Sequence, residues 1–208
     1  MSILKLFAGT TAAILSPIAL LCVLASLTVA TLPLYRQTFA VISEPHIAVP
    51  NSGALADAAI SYIVYGKPLR SEFFSNREQL HLYDIKKLVI TVKVISAVLI
   101  LILIFAVLYF SRINLRSLYR YSAWSFACSA IFGLAAVFLI SANFETLFEF
   151  FHRITFYNNY WQLDPMTEPL IVVFPPQLFY TLSLTVVSIF IVLSALLSAF
   201  FFLQHKRT

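Results

Sequence analysis

The chain has 208 residues, 61% of them hydrophobic, a mean hydropathy of +0.90 and a formal net charge of +5. Soluble domains hold about 45–50% apolar residues, so this composition belongs in a membrane, and the length suits one compact bundle. The only glycines, Gly9, Gly53, Gly66 and Gly133, exclude a Gly-rich phosphate loop and a Gly-x-Ser-x-Gly nucleophile elbow, and the placement of the positive charge speaks of membrane topology rather than nucleic acid.

The first apolar run covers about residues 7–33. It is longer than the 7–15-residue core of a secretory signal and exceeds the roughly 20 residues a spanning helix needs. We read an uncleaved first span; cleavage near Ala30 is the alternative. Further spans are expected at residues 88–110, 123–142 and 178–203, each long enough for about 30 Å of hydrocarbon. Pro175 and Pro176 suit the first turn of the last one, where a missing N–H costs nothing. Cys22 and Cys128 fall inside apolar runs and fit no CxxC or zinc pattern, which reads as two small buried hydrophobes.

Charge fixes an expected orientation. The N-terminus, the link 111–121 and the tail 204–208 carry Lys5, Arg112, Arg116, Arg120, Lys206 and Arg207 and no acid. The positive-inside rule makes that side cytoplasmic. Every Asp and Glu lies in segments 34–87 or 143–177. The expectation is an all-α integral membrane protein, a single domain with four transmembrane helices. Both termini are cytoplasmic, and two extracytoplasmic segments form a small cap.

In the first outer segment, the Ala-rich stretch 54–65 has helical spacing, Asn51 or Ser52 can cap it, and Gly66 stands as its stop. Ser75-Asn-Arg-Glu78 has the form of a capping box. A helix starting there carries Glu78, His81 and Asp84 on one face and runs into the second span. The segment 44–48, with His46, reads as either strand or loop. In the second outer segment, the period of the third span continues. It puts Phe144, Leu147, Phe148 and Phe151 on one face and Glu145, Glu149 and His152 on the other, before a turn at Asp164-Pro165.

Two histidines thus stand at matching depth, each with an acid one turn away. A carboxylate beside an imidazole sets its tautomer and raises its basicity. Glu78 or Asp84 could do this for His81, and Glu149 for His152. Each histidine could equally be a packed or solvated interfacial side chain. Lys86 and Lys87 read as snorkelling anchors, and Lys93 either snorkels outward or contacts a substrate. Trp161, Tyr157 and Tyr160 fit an interfacial aromatic belt.

These two stretches resemble the lipoprotein intramolecular transacylase (Lit) family of Gram-positive bacteria. The first similarity is Glu78-Gln-Leu-His81-Leu-Tyr-Asp84-Ile-Lys86. The second is Phe151-His152, then Phe156-Tyr-Asn158-Asn159-Tyr-Trp161, Leu163-Asp164-Pro165, Glu168 and Pro175. Asn159 and Glu168 stand where many relatives are expected to carry aspartate. The resemblance implies a membrane lipoprotein substrate whose N-terminal cysteine carries a diacylglyceryl thioether. It further implies movement of the sn-2 acyl chain to the α-amine of that cysteine, giving an N-acyl S-monoacylglyceryl product.

For that reaction His81 and His152 are the expected catalytic residues. Glu78, Asp84, Lys93, Glu149, Asn158, Trp161 and Asp164 are the expected orienting or substrate-binding residues. The nucleophile is the substrate's own amine, so no serine or cysteine nucleophile, metal or cofactor is expected. Asn158, Lys93 and the Trp161 indole are candidate oxyanion donors. Expected partners are the diacylated lipoprotein and membrane lipid, not nucleic acid; the residues say nothing of oligomeric state. Two other readings stand beside this one. One is a metal-dependent membrane hydrolase using His81, Asp84, Glu149 and His152, although no His-Glu-x-x-His motif is present. The other is a non-catalytic membrane partner protein.

Overall fold

The structure, a computed structural model, describes residues 3–42, 52–111 and 115–208. Segment 44–48, with His46, and Asn51 lie outside the described residues. Among the described residues, six α-helices follow one another: α1 (Ile3–Ile42), α2 (Ser52–Tyr65), α3 (Asn76–Ser111), α4 (Leu115–Thr155), α5 (Pro169–Val173) and α6 (Pro176–Arg207). A 3-10 turn at Ser71–Phe73 precedes α3. Among the described residues there is no strand. Helices α1, α3, α4 and α6 are long and apolar enough to cross a membrane, and the chain is a multi-pass membrane protein. The backbone of α4 leaves helical dihedrals at Asn143, one residue beyond its apolar run.

The chain divides into two compact units. The first comprises Met1–Ser26, Val92–Ser141 and Leu184–Thr208, and thus parts of the four long helices. Its outer face is strongly apolar: Phe105, Phe132 and Phe138 each expose more than two thirds of their surface (73%, 75% and 71%), as suits lipid rather than water. Inside, small residues let helices approach, the usual means of packing where lipid is as apolar as leucine. A Cβ on Gly133 of α4 would lie 2.6 Å from Ile191 Cγ1 of α6. Serine hydroxyls bridge neighbouring helices. Ser125 donates to the Ala13 carbonyl at 2.7 Å, Ser198 to the Ala123 carbonyl at 2.8 Å, and Ser26 and Ser96 meet at 3.3 Å. Cys22 and Cys128 are free thiols, but Cys128 is exposed, against the expectation that both are buried.

The second unit comprises Leu27–Thr91 and Ala142–Ser183 and carries the two sequence stretches with candidate chemistry. The capping box forms as its sequence dictates. The Ser75 amide donates to Glu78 Oε2 at 2.6 Å, and the Glu78 amide donates to Ser75 Oγ at 3.2 Å. Helix α3 therefore starts at a defined residue and presents Glu78, His81 and Asp84 in its first turns. Helix α2 ends at Gly66, whose φ of +70° is the left-handed value that glycine adopts without penalty. Leu55, Ala58 and Ala59 of α2 form a small core with Phe74, Leu82 of α3 and Leu170 of α5. Lys86 is half-buried, with its ammonium 4.0 Å above the Tyr62 ring, so it pairs with α2 instead of simply reaching for water.

Candidate active site

His81 on α3 and His152 on α4 face each other, with ring centroids 6.1 Å apart. Both are buried. The rings around them are aromatic. Phe156 packs against both imidazoles, at 5.3 Å from His81 and 5.7 Å from His152. Phe148 and Phe151 lie 4.2 and 5.4 Å from His152, and the Trp161 indole stacks on it, tilted, at 5.0 Å. The geometry follows from helical spacing: Phe148, His152 and Phe156 are four residues apart and share one face. His152 therefore belongs with Phe148, contrary to the expected division of faces. Glu145 and Glu149 are exposed.

The carboxylates near the histidines have separate duties. Glu149 holds Arg153 at 2.6 Å in an exposed i,i+4 pair, so it is not the partner of His152. That place is taken by main chain: His152 Nδ1–H donates to the Phe148 carbonyl at 2.7 Å. The bond fixes the neutral tautomer and leaves Nε2 as the ring's lone pair. Glu78 is fully buried, but both its oxygens are engaged by backbone amides. Oε2 takes the Ser75 amide and Oε1 the Leu170 amide at 2.7 Å. It joins the start of α3 to the start of α5 and does not hydrogen-bond His81.

Asp84 accepts a 2.8 Å hydrogen bond from the Asn158 side-chain amide, whose oxygen in turn accepts from the Tyr160 amide at 3.0 Å. The Arg77 guanidinium donates to the Asn159 carbonyl at 2.8 Å. Asp164 shapes its own turn, accepting from the Met166 amide at 2.9 Å. Lys93 is exposed and belongs to the first unit. Residues to which the sequence reading gave no part in the site are Phe148, Phe151 and Phe156, which pack around the imidazoles, and Ser75 and Arg77, which hold the segment after α4. Their contacts join positions more than 70 residues apart or depend on side-chain direction, so no local pattern announces them.

His81 precedes the apolar run 88–110, and His152 follows the run 123–142. Burial pushes His81 down from the usual histidine range to about 4; the neighbouring His152 adds to this, and Asp84 opposes it. Burial also lowers His152, opposed by its hydrogen bond to the Phe148 carbonyl. Both rings are thus neutral at pH 7, each with a lone pair to take a proton. His81 Nδ1 is buried and has no hydrogen-bond partner among the described residues. Also among the described residues, no three His, Cys, Asp or Glu side chains are grouped as metal ligands. The set His81, Asp84, Glu149 and His152 is not assembled, because Glu149 is turned to Arg153 and is exposed.

Comparison with known proteins follows the same line. No curated protein sequence matches the chain. A solved structure of the membrane integral lipoprotein intramolecular transacylase Lit from Bacillus cereus is similar over 98% of this chain and 95% of its own, with a TM-score of 0.77 at 19% identity. Two variants of that protein, each with one histidine replaced, are also similar. The arginine variant has a TM-score of 0.65 at 19% identity, over 98% of this chain and 92% of that one. The alanine variant has a TM-score of 0.69 at 18% identity, over 96% of this chain and 95% of that one. At these identities the likeness is one of fold. The sequence model of the lipoprotein intramolecular transacylase Lit matches residues 10–180, most of the chain. The chain belongs to the lipoprotein intramolecular transacylase family of enzymes.

Proposed function

We propose that the chain moves the sn-2 acyl group of a diacylglyceryl-cysteine lipoprotein onto the α-amine of the same cysteine. His81 and His152 act together in that transfer. The observation that carries this reading is the buried pair of imidazoles, 6.1 Å apart inside a ring of aromatic side chains. The substrate's α-ammonium, with a pKa of about 8, first gives one proton to water; the free amine then attacks the ester carbonyl, and its nitrogen gives up a second proton as the C–N bond forms. A neutral imidazole takes that proton. His152 suits the task, because its Nδ1–H is committed to Phe148 and its Nε2 lone pair is left over. The tetrahedral intermediate then collapses. The C–N amide bond stays, the ester C–O bond breaks, and the glycerol oxygen leaves with a proton returned by the histidine pair.

The product is an N-acyl, S-monoacylglyceryl lipoprotein with one free hydroxyl. Both reacting groups belong to one molecule, so the protein's main contribution is to hold them together away from water. Asn158, held by Asp84, and the Trp161 indole, stacked on His152, serve as donors to the developing oxyanion. Lys93, exposed in the other unit, has no such support. The amphipathic substrate is drawn from membrane lipid surroundings, and the site faces away from the cytoplasm with both termini inside. The basic, acid-free links support that orientation.

The test is the mass and fragmentation of a lipoprotein N-terminal peptide made with and without the protein. Transfer leaves the total mass unchanged and moves one acyl chain to the amine fragment. An acyl chain lost to water would show hydrolysis instead, and an unchanged fragment pattern would refute the transfer. Orientation is tested separately, by labelling single cysteines at Ser75 and at Thr167 with an impermeant reagent on intact cells. Labelling is expected without lysis; labelling only after lysis contradicts it.

A further inference from the structure

Four ties fasten the loop after α4, and the start of α5 that follows it, to the first turns of α3, and one of them involves a residue not yet given a part. Glu168 is buried. Its Oε2 accepts the Asp164 amide at 2.8 Å, which closes the turn three residues after Trp161. Its Oε1 accepts Ser75 Oγ at 3.3 Å, at the residue that caps α3. The Glu168 amide also donates to the Asp164 carbonyl at 2.8 Å, so the turn is closed from both sides. Beside it, Glu78 joins Ser75 and Leu170 through their amides. Ser75 is thus the meeting point of two buried carboxylates, each satisfied by hydrogen-bond donors in place of a cation. Arg77 on the Asn159 carbonyl and Asp84 on Asn158 complete the set.

The loop so fastened carries Trp161, which covers His152 at 5.0 Å, and it is entered from Phe156, which packs against both imidazoles. A ring stacked on a histidine excludes water only while its backbone stays put. Among the described residues, segment 157–163 is hydrogen-bonded to α3 through Arg77 and Asp84, both side chains that are not fully buried. Beyond it, the ties to α3 run through two buried carboxylates, Glu78 to Leu170 and Glu168 to Ser75, and of these Glu168 also closes the turn at Asp164.

We propose that Glu168 is a positioning residue for the histidine pair: through Asp164 and Ser75 it fastens the loop bearing Trp161 over His152 and keeps that imidazole dry. This rests on the reading of the pair as the active centre, and it adds that the pair's proton affinity is set by a clamp outside it. The charged and titratable groups around the pair are few. Asp84 on α3 is bound to Asn158, the Glu149–Arg153 pair on α4 is exposed, and Asp164 and Glu168 in the loop are turned to backbone amides. Release of the loop would therefore act mainly by admitting water, which restores the charged form of a buried base.

The test uses the full-length protein in detergent micelles with Trp124→Phe, which leaves Trp161 as its single tryptophan. An imidazolium beside an indole quenches its emission, and a neutral imidazole does not, so emission against pH reports protonation of His152 without substrate. With the clamp intact, the transition falls below the ordinary histidine value of about 6.5. Glu168→Ala is expected to move it up to about 6.5 and to shift the emission to the red as Trp161 meets water. Ser75→Ala removes the hydroxyl link to Glu168 together with the cap that the same oxygen gives the Glu78 amide, but leaves the Glu168–Asp164 bond, so a smaller shift in the same direction is expected; it carries the test alone if Glu168→Ala does not fold. An unmoved transition and unmoved emission in the folded variants would overturn the proposal. Because no acyl transfer is measured, a flat titration sinks the clamp without touching the transfer reading. Failure of transfer by the wild-type protein would sink that reading and leave the titration as it stands.

Discussion

His81 and His152 each stand on a long helix with an acid one turn away, yet their surroundings are built differently. Around His81, the acids are structural. Glu78 is spent on two amides that join α3 to α5, and Asp84 is spent on Asn158. The ring's Nδ1 has no hydrogen-bond partner among the described residues. Around His152, the nearby acid is exposed and paired with Arg153, and the ring is oriented by the carbonyl of Phe148. One histidine is thus oriented by main chain. The other has a buried Nδ1 with no hydrogen-bond partner among the described residues. Proximity of an acid in sequence is not partnership; the direction of the side chain decides it.

If the two histidines divide proton transfer between them, removing either should give the largest effect on activity. His81→Asn and His152→Asn should each cost about 10²–10⁴-fold in transfer rate, read from product formation by mass spectrometry on protein that still inserts. Next comes stability at the His81 side. Glu78→Ala orphans two backbone amides, at about 1–3 kcal/mol each, and should lower the thermal unfolding midpoint well before any surface variant does. A midpoint unchanged from wild type would show that Glu78 is not a structural acid.

Asp84→Asn should cost less than either histidine variant. The charge-assisted hydrogen bond to Asn158 is worth about 1.5 kcal/mol or more, so a loss of roughly tenfold is expected. Smallest of all is Glu149→Gln. An exposed i,i+4 pair contributes about 0.3–0.5 kcal/mol, so activity should stay within about twofold. A loss for Glu149→Gln equal to that of His152→Asn would restore the carboxylate-oriented histidine and break the contrast. The acid limb of the rate profile sharpens it further. A base must be neutral to act, and burial lowers both histidines. Activity should therefore persist as pH falls to 6.5 and decline below it, toward the value of about 4 for His81.

The parts of this arrangement that are local in the chain were legible before any coordinates. The Ser75–Glu78 capping box, the Gly66 stop and Pro176 at the start of α6 each depend on residues within a turn of one another. Four apolar runs gave four long helices for the same reason. The approach of His81 to His152 was readable from their matching places relative to the apolar runs. What was not readable depends on rotation and distance. His152 shares a face with Phe148, a difference of one helical position from the acid face assumed for it. The five-residue α5 is too short to show a period and is defined by Glu78 from 92 residues away. Glu168 was visible in the sequence as an acid of the second family stretch, but its work was not until its two oxygens found Ser75 and Asp164.

The central claim is that two histidines act as one unit, and a double-mutant cycle on purified protein tests it most directly. The initial rate of N-acylated, S-monoacylglyceryl peptide formation is measured for wild type, His81→Asn, His152→Asn and the double variant. Groups acting as one unit are non-additive, so the double variant should lose much less than the product of the two single losses. Losses that multiply, or near-normal product formation by either single variant, would contradict the account.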